Sequence, residues 1–236
     1  MRHIIIDERI SEKCERSLMK MGFNLIKLPK DPSLGDAVCS HPDTVVFYNN
    51  KEMITPADYC DVAPYVFSDI REYVPDIKIH FTSDTRRSVY PHDCIMNALV
   101  IGDRLFCKTD SVSEAILSLA KRNNYKIINV NQGYPACSTL AFGNTAITAD
   151  RGMAKTLSDE DIDVLLIQEG HIALPPHKYG FIGGSAGVYD NKVLFFGDLL
   201  LHPDGEAIRS RINKAGYEVV CLSDEPLADF GSFIIL

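Results

Sequence analysis

Four stretches of this chain repeat one design: a short apolar strand, a tight polar pair, and a second apolar strand. They are DTVVFYNNKEMIT (43–55), NALVIGDRLFCKTD (97–110), STLAFGNTAITAD (138–150) and AGVYDNKVLFFGD (186–198). The central pairs, Asn49-Asn50, Gly102-Asp103, Gly143-Asn144 and Asp190-Asn191, use residues that tolerate the positive φ of primed hairpin turns. The turns recur at intervals of about 41 to 53 residues, and a period in that range signals repeated supersecondary units.

After the second strand, three units reach Asp110, Asp150 and Asp198 and then run into helix-like stretches such as SVSEAILSLAKRNN (111–124) and GEAIRSRINKAG (205–216). Their apolar residues fall at three-to-four spacing, with Gly216 placed to stop the second. A short apolar strand follows each: KIINV (126–130), DVLLI (163–167) and EVVCL (218–222), with further copies in NLIKL (24–28) and DIKIH (76–80). Five third strands against four hairpins imply that one hairpin is split. The tail GSFIIL (231–236) and the head RHIIID (2–7), followed by ERISEKCERSLMKMG (8–22), supply its halves.

The expected fold is therefore an α/β protein of five pseudo-symmetric blades, a propeller closed by pairing the N- and C-terminal strands. It would be a single domain over 1–236 with about 47 residues per repeat. Pairing first and last strands removes exposed sheet edges. An open α/β sheet is the alternative, but it explains neither the hairpin before each helix nor the complementary termini. Nor does any GxGxxG open a helix; GFIGGSAG (180–187) runs into a strand. Asp7, Asp110, Asp150 and Asp198 recur at strand-to-helix junctions and are read as caps. In HPDGEAI (202–208), Pro203, Asp204 and Glu206 suit a helix start, and His202 a cap.

Composition narrows the partners. Net charge is −8 with an isoelectric point near 5.3, and the longest basic runs are pairs, Arg86-Arg87 and Lys121-Arg122. Nucleic acid is not expected, since phosphate binding needs a clustered basic face. No stretch approaches the roughly 18 apolar residues of a membrane span, and the first residues lack a secretory apolar core. The expected location is the cytoplasm. The seven scattered cysteines form no CxxC or CxxH pair and read as reduced thiols, with neither a disulfide framework nor a zinc motif.

The organisation resembles the pentein superfamily of guanidino-group-modifying enzymes, which includes arginine and agmatine deiminases, dimethylarginine dimethylaminohydrolase and amidinotransferases. It also includes a non-catalytic ribosome anti-association factor. GYPACSTL (133–140), GFIGGSAG (180–187), GDLLLHPDGE (197–206) and EPLADFGSF (225–233) are similar to an uncharacterised bacterial family of that fold. The resemblance implies a small guanidino or amino-acid-like ligand at the mouth of a central tunnel. Those enzymes carry a cysteine nucleophile in the first strand of the last repeat and a histidine at the start of an earlier inner strand. Here the last repeat reads LADFGSFIIL and the fourth inner strand opens Gly183-Gly184-Ser185-Ala186, so neither residue transfers by position.

In a ring of such units, each third strand leads back toward the axis through a loop, and all five loops converge on one mouth. They are 29–43, 82–94, 131–137, 168–184 and 223–231. Cys137 is the candidate nucleophile, with His92 or His171 as proton carriers oriented by Asp93 or Glu169. Asp93, Asn97, Glu169, Ser185 and Asp229 are candidate ligand-binding residues. The competing readings are a small buried core thiol for Cys137, a backbone-bonded loop histidine for His171 and a turn cap for Asp93. Ligand binding without catalysis is the first functional expectation; a Cys137-dependent hydrolase or deiminase of a guanidino compound is the alternative. No metal and no cofactor are expected; a metal site built from the loop histidines and acids is a third, weaker reading, which no helical HxxxH spacing supports. A protein partner and the oligomeric state are left open.

Overall fold

The structure, a computed structural model, describes residues 2–236. Strands β1 (Arg2–Asp7) and β2 (Phe23–Leu28) begin the chain. Then come β3 (Phe47–Asn49), β4 (Glu52–Pro56) and β5 (Lys78–Thr82), followed by β6 (Leu99–Ile101), β7 (Arg104–Cys107) and β8 (Lys126–Asn129). The rest are β9 (Thr139–Phe142), β10 (Thr145–Thr148), β11 (Asp163–Leu166), β12 (Ala186–Tyr189), β13 (Lys192–Phe195), β14 (Glu218–Cys221) and β15 (Ile234–Ile235). They form five three-stranded sheets, in four of which the middle strand pairs antiparallel with the strand before it and parallel with the strand after it.

The fifth sheet is assembled from both chain ends. Ile4 faces Ile235 and Ile5 faces Ile234 across an antiparallel pair, while β1 runs parallel to β2. Leu236 N donates to His3 O at 3.0 Å, continuing the ladder by one bond. The expected closure between the two termini is thus present, with β15 limited to Ile234–Ile235 of the tail 231–236 and Ser232 at a left-handed φ of 61°.

What holds the ring together is the two-residue period of the middle strands. On β1, Ile4 and Ile6 pack with Leu194 and Phe196 of the neighbouring sheet, while Ile5 points the other way into a cluster with Met53. On β4, Met53 faces that cluster and Ile54 faces the next, shared with Leu105 and Cys107. Phe106 of β7 meets Ala146 of β10, and Ile147 of β10 meets Val193 and Phe195 of β13. Leu194 returns the cycle to β1. Each middle strand therefore buries both faces, which explains the unbroken apolar run Ile4-Ile5-Ile6 where a one-sided sheet would alternate.

Outer helices cover these seams. Helices Glu12–Lys20, Glu114–Arg122 and Arg151–Asp159 are capped by Ser11, Ser113 and Asp150, whose side chains accept from Cys14, Ala115 and Met153 backbone N–H groups. The uniform reading of the four recurring aspartates as caps needs correction. Asp150 caps a helix and Asp198 a 3-10 turn. Asp110 is exposed and binds Lys108, because the helix starts later at Ser113. Asp7 is fully buried and grips Arg9. Helix Gly205–Lys214 starts at Asp204 as its N-cap residue, and His202 Nδ1 accepts from Asp204 N at 3.0 Å.

The first hairpin also turns one residue later than expected. Asn49 pairs with Glu52, leaving Asn50 and Lys51 at φ 48° and 63° as the turn. Asn49 Nδ2 instead donates to the Tyr125 hydroxyl at 2.8 Å as a strand residue. The other three turn pairs stand as read.

The first strands of the five hairpins, β3, β6, β9, β12 and β15, line a central channel of about 440 Å³. No helix among the described residues is long and apolar enough to cross a membrane.

Candidate functional site

At the opposite end from the hairpin turns, the five returning loops enclose a cavity of about 820 Å³. Each contributes to the wall: His41 from 29–43, Asp93 from 82–94, Cys137 from 131–137, Phe181 from 168–184 and Asp229 from 223–231. Two of these loops are pinned from behind by Arg86. Its side chain is wholly buried, ion-paired to Asp31 at 2.6 Å and Asp58 at 2.9 Å, with the guanidinium over the Tyr59 ring. A charge so deep persists only when paired on several sides, so Arg86 fixes the first loop against the second.

At the base of the cavity the Cys137 thiol donates to Asp43 Oδ2 across 2.6 Å. Asn97 Nδ2 donates to Cys137 Sγ at 3.4 Å and to the Asp43 carbonyl at 3.1 Å, while its Oδ1 accepts from Ala136 N at 2.8 Å. Asn97 thus ties together the starts of three neighbouring inner strands. Cys137 sits on the short helix Pro135–Ser138 and Asp43 on Pro42–Val45, both opened by a proline at the first helical position, where its missing N–H costs nothing.

His41 completes the group. His41, Asp43 and Cys137 each offer one donor atom, and these atoms lie within 4.8 Å of one another. The imidazole is fully buried, with Nε2 3.8 Å from Asp7 and Nδ1 3.8 Å from Asp229. Asp229 is itself anchored by Phe181 N at 2.9 Å and Gly231 N at 3.0 Å. Such packing requires glycines. A Cβ on Gly231, whose φ is +67°, would stand 2.3 Å from His41 Cβ, and one on Gly184 would stand 1.9 Å from Asp229 Oδ1.

The electrostatics follow from burying acids without cations. Burial pushes Asp229 up to about 7, aided by the Asp43 charge, and pushes Asp43 up to about 6. Burial also raises the Cys137 thiol well above its ordinary value, and the neighbouring Asp43 and Asp229 charges add to this. His41 is held neutral, down to about 3, by burial and by the Arg9 charge. Arg9 is spent on Asp7, and among the described residues no Lys or Arg forms an ion pair with Asp43 or Asp229.

The walls above this base are aromatic: Tyr90, Tyr134, Tyr179 and Phe181, with Lys178 and His177 at the rim. Asp93 lines the cavity, and its Oδ1 is buried without a hydrogen-bond partner.

The residues singled out from sequence are distributed unevenly over this site. Cys137, Asp229 and Asp93 line the cavity, and Asn97, outside the lining, donates to Cys137 Sγ. His92 is exposed and is not among the lining residues. His171 is also exposed and lies against His202, with ring centroids 5.4 Å apart. Glu169 is exposed and accepts from the Tyr179 hydroxyl at 3.1 Å, and Ser185 Oγ is buried and donates to Ile182 O at 2.9 Å. Sequence reasoning placed His41 on the right loop but gave neither it nor Asp43 a role. The signal was there in His41-Pro42-Asp43, a proline-opened turn just before an inner strand, as in Pro135-Ala136-Cys137.

Comparison with solved structures finds the same fold in several enzymes. It is similar to dimethylarginine dimethylaminohydrolase from Pseudomonas aeruginosa, a cysteine-to-serine mutant complexed with citrulline: TM-score 0.59, 11% identity, 94% of this chain and 92% of that one. SxtG, an amidinotransferase from Microseira wollei in the saxitoxin biosynthetic pathway, matches at TM-score 0.59 and 10% identity over 99% and 94%. Agmatine deiminase from C. jejuni matches at TM-score 0.57 and 8% identity over 94% and 87%. No curated protein sequence matches. At such identities the likeness establishes the five-bladed α/β propeller and leaves chemistry to the residues. The model of DUF6873, a family of unknown function, matches residues 5–234, and this chain belongs to that family.

Proposed function

We propose that this protein binds a small organic cation of guanidino or amino-acid-like type in the loop-lined cavity, with the charged head against Asp43 and Asp229. The observation that carries the reading is Asp229 on the cavity lining, with Asp43 hydrogen-bonded to the lining residue Cys137, and no Lys or Arg among the described residues paired with either carboxylate. A buried carboxylate without a partner is costly, and an entering guanidinium supplies both the charge and a planar set of donors. The aromatic walls favour the same ligand, since Tyr and Phe faces attract cations. The pentein neighbours, which include guanidino-modifying enzymes by name, lend support from fold alone.

A second reading is favoured by the 2.6 Å contact between Cys137 and Asp43. With a guanidinium in place, its charge stabilises the thiolate and Asp43 takes the thiol proton. Sγ attacks the guanidinium carbon, the amine leaves with a proton, and water hydrolyses the resulting S-amidino intermediate to a urea, regenerating the thiol. Trapping distinguishes the two. Incubation with guanidino compounds followed by intact-mass measurement gives a Cys137 amidino adduct or a ureido product under the second reading, and reversible binding alone under the first.

A further inference from the structure

His41 stands between two carboxylates at 3.8 Å and hydrogen-bonds to neither. Its side chain is wholly buried, and neither ring nitrogen makes a hydrogen bond. Asp43 Oδ1 is likewise buried and unpaired. Folded chains ordinarily satisfy such groups, and each exception asks for a bound partner or a functional cause. Cys137 Sγ lies with these atoms inside a 4.8 Å cluster.

We propose that His41, Asp43 and Cys137 form a three-donor site for one divalent transition-metal ion, zinc foremost, with its fourth position open to the cavity. The donor set is one imidazole nitrogen, one sulfur and one carboxylate oxygen. That mixture suits a borderline-soft ion such as zinc and does not suit magnesium or calcium, which take oxygen ligands. Three protein donors with one vacant position is also the pattern of reactive rather than purely structural zinc sites.

Geometry and surroundings agree. Zinc–ligand bonds of about 2.0–2.3 Å put neighbouring donors roughly 3.5 Å apart, so closing this cluster asks for side-chain shifts of about 1 Å. The outer partners that such sites use are already present. Asn97 Nδ2 points at Cys137 Sγ at 3.4 Å. Whichever nitrogen of His41 binds the metal, the other has a carboxylate 3.8 Å away, Asp7 on one side and Asp229 on the other. Carboxylate–histidine–metal arrangements of that kind fix the tautomer and strengthen the ligand.

Loading involves no change of oxidation state: the thiol proton leaves to bulk buffer as the Sγ–metal bond forms. The ion and a guanidinium head would occupy the same base, so each excludes the other, and a metal-bound Sγ is withdrawn from attack. The inference goes beyond the organic-cation reading and stands or falls separately from it.

The test titrates the metal-free full chain with cobalt(II) and follows thiolate-to-cobalt charge-transfer absorption, then displaces cobalt with zinc. One equivalent should give the band, and zinc should abolish it. Cys137→Ser should lose the band and weaken zinc by more than the roughly 10–100-fold that loss of an outer partner costs. Asn97→Ala should keep the band and fall within that range, with circular dichroism confirming that both variants fold. His171→Ala should bind as wild type, which excludes the exposed His171–His202 pair as the site. Absence of the thiolate band, or zinc binding unchanged in Cys137→Ser, overturns the inference. Guanidino compounds titrated into the metal-free chain report on the organic-cation reading independently of either result.

Discussion

Cys137 and Asp43 stand 94 positions apart in the chain, yet the thiol of one donates to the carboxylate of the other across 2.6 Å. The contact exists because two proline-opened turns, from the units on either side of the one that carries Asn97, deliver their side chains to the same point. Burial makes the pair a thiol and a carboxyl of raised pKa. A cation placed beside them reverses both preferences.

The first prediction concerns that thiol. Cys221 is exposed and Cys60 half-exposed, whereas Cys137 is buried and held in its neutral form. Because the thiolate is the reactive species, alkylation at neutral pH should modify Cys221 and Cys60 well before Cys137. Peptide mass mapping over time reads the order. Labelling of Cys137 as fast as Cys221 would show an activated thiolate in the resting site.

The second concerns pH. Asp229 has a folded pKa of about 7, raised above its unfolded value by burial. Between roughly pH 4 and 7 the folded state therefore binds the extra proton, and this residue's contribution to stability falls as pH rises. In Asp229→Asn that penalty is gone. The difference in melting temperature between variant and wild type should move in the variant's favour from pH 5 to pH 8, then level off. A difference independent of pH would mean that Asp229 keeps an ordinary pKa.

The third tests ring closure. Phe233 is 8% exposed, and Ile234 to Leu236 are half-buried on the β1 edge. With roughly 1.5–3 kcal/mol for each fully buried apolar side chain, deleting 233–236 should cost on the order of 3–6 kcal/mol. That is a large share of a typical total of about 5–15 kcal/mol. Thermal unfolding of the truncated chain should show a markedly lower midpoint; an unchanged one would mean that β15 is an ornament.

The fourth uses the tightest point of the wall. Gly184→Ala puts a methyl group 1.9 Å from Asp229 Oδ1. Overpacking of that kind costs about 1–3 kcal/mol, and it should displace the Asp229 carboxylate and weaken cation binding beyond any loss of stability. Equal ligand affinity in wild type and variant, measured on folded protein, would remove Asp229 from the site.

The ring itself was legible because its causes are local. Turn pairs such as Gly102-Asp103 need positive φ, and Ile4-Ile5-Ile6 needs two buried faces; both requirements are written in consecutive residues. The meeting of loops at one mouth followed from topology, which brought Cys137, Asn97 and Asp229 into view. The pairing inside the site was not legible. Nothing near His41 in the chain announces Asp7 and Asp229, which reach it through Gly231 and through the closure of the two termini. His92 and His171 carried a stronger sequence signal, each beside an acid, but their loops present them to solvent. Asp7 looked like one more recurring cap, and only the packing of Arg9 against it reveals a buried ion pair.

The most direct measurement compares a guanidinium with its neutral isostere. Calorimetric titration of the metal-free protein with arginine, agmatine and methylated guanidines, beside citrulline as the uncharged counterpart, isolates the contribution of charge at Asp43 and Asp229. The account predicts saturable one-to-one binding of at least one guanidino compound at pH 8, with citrulline much weaker and the preference lost in Asp229→Asn. Citrulline binding as tightly as the cations, or none of the guanidino compounds binding while the protein remains folded, would contradict it.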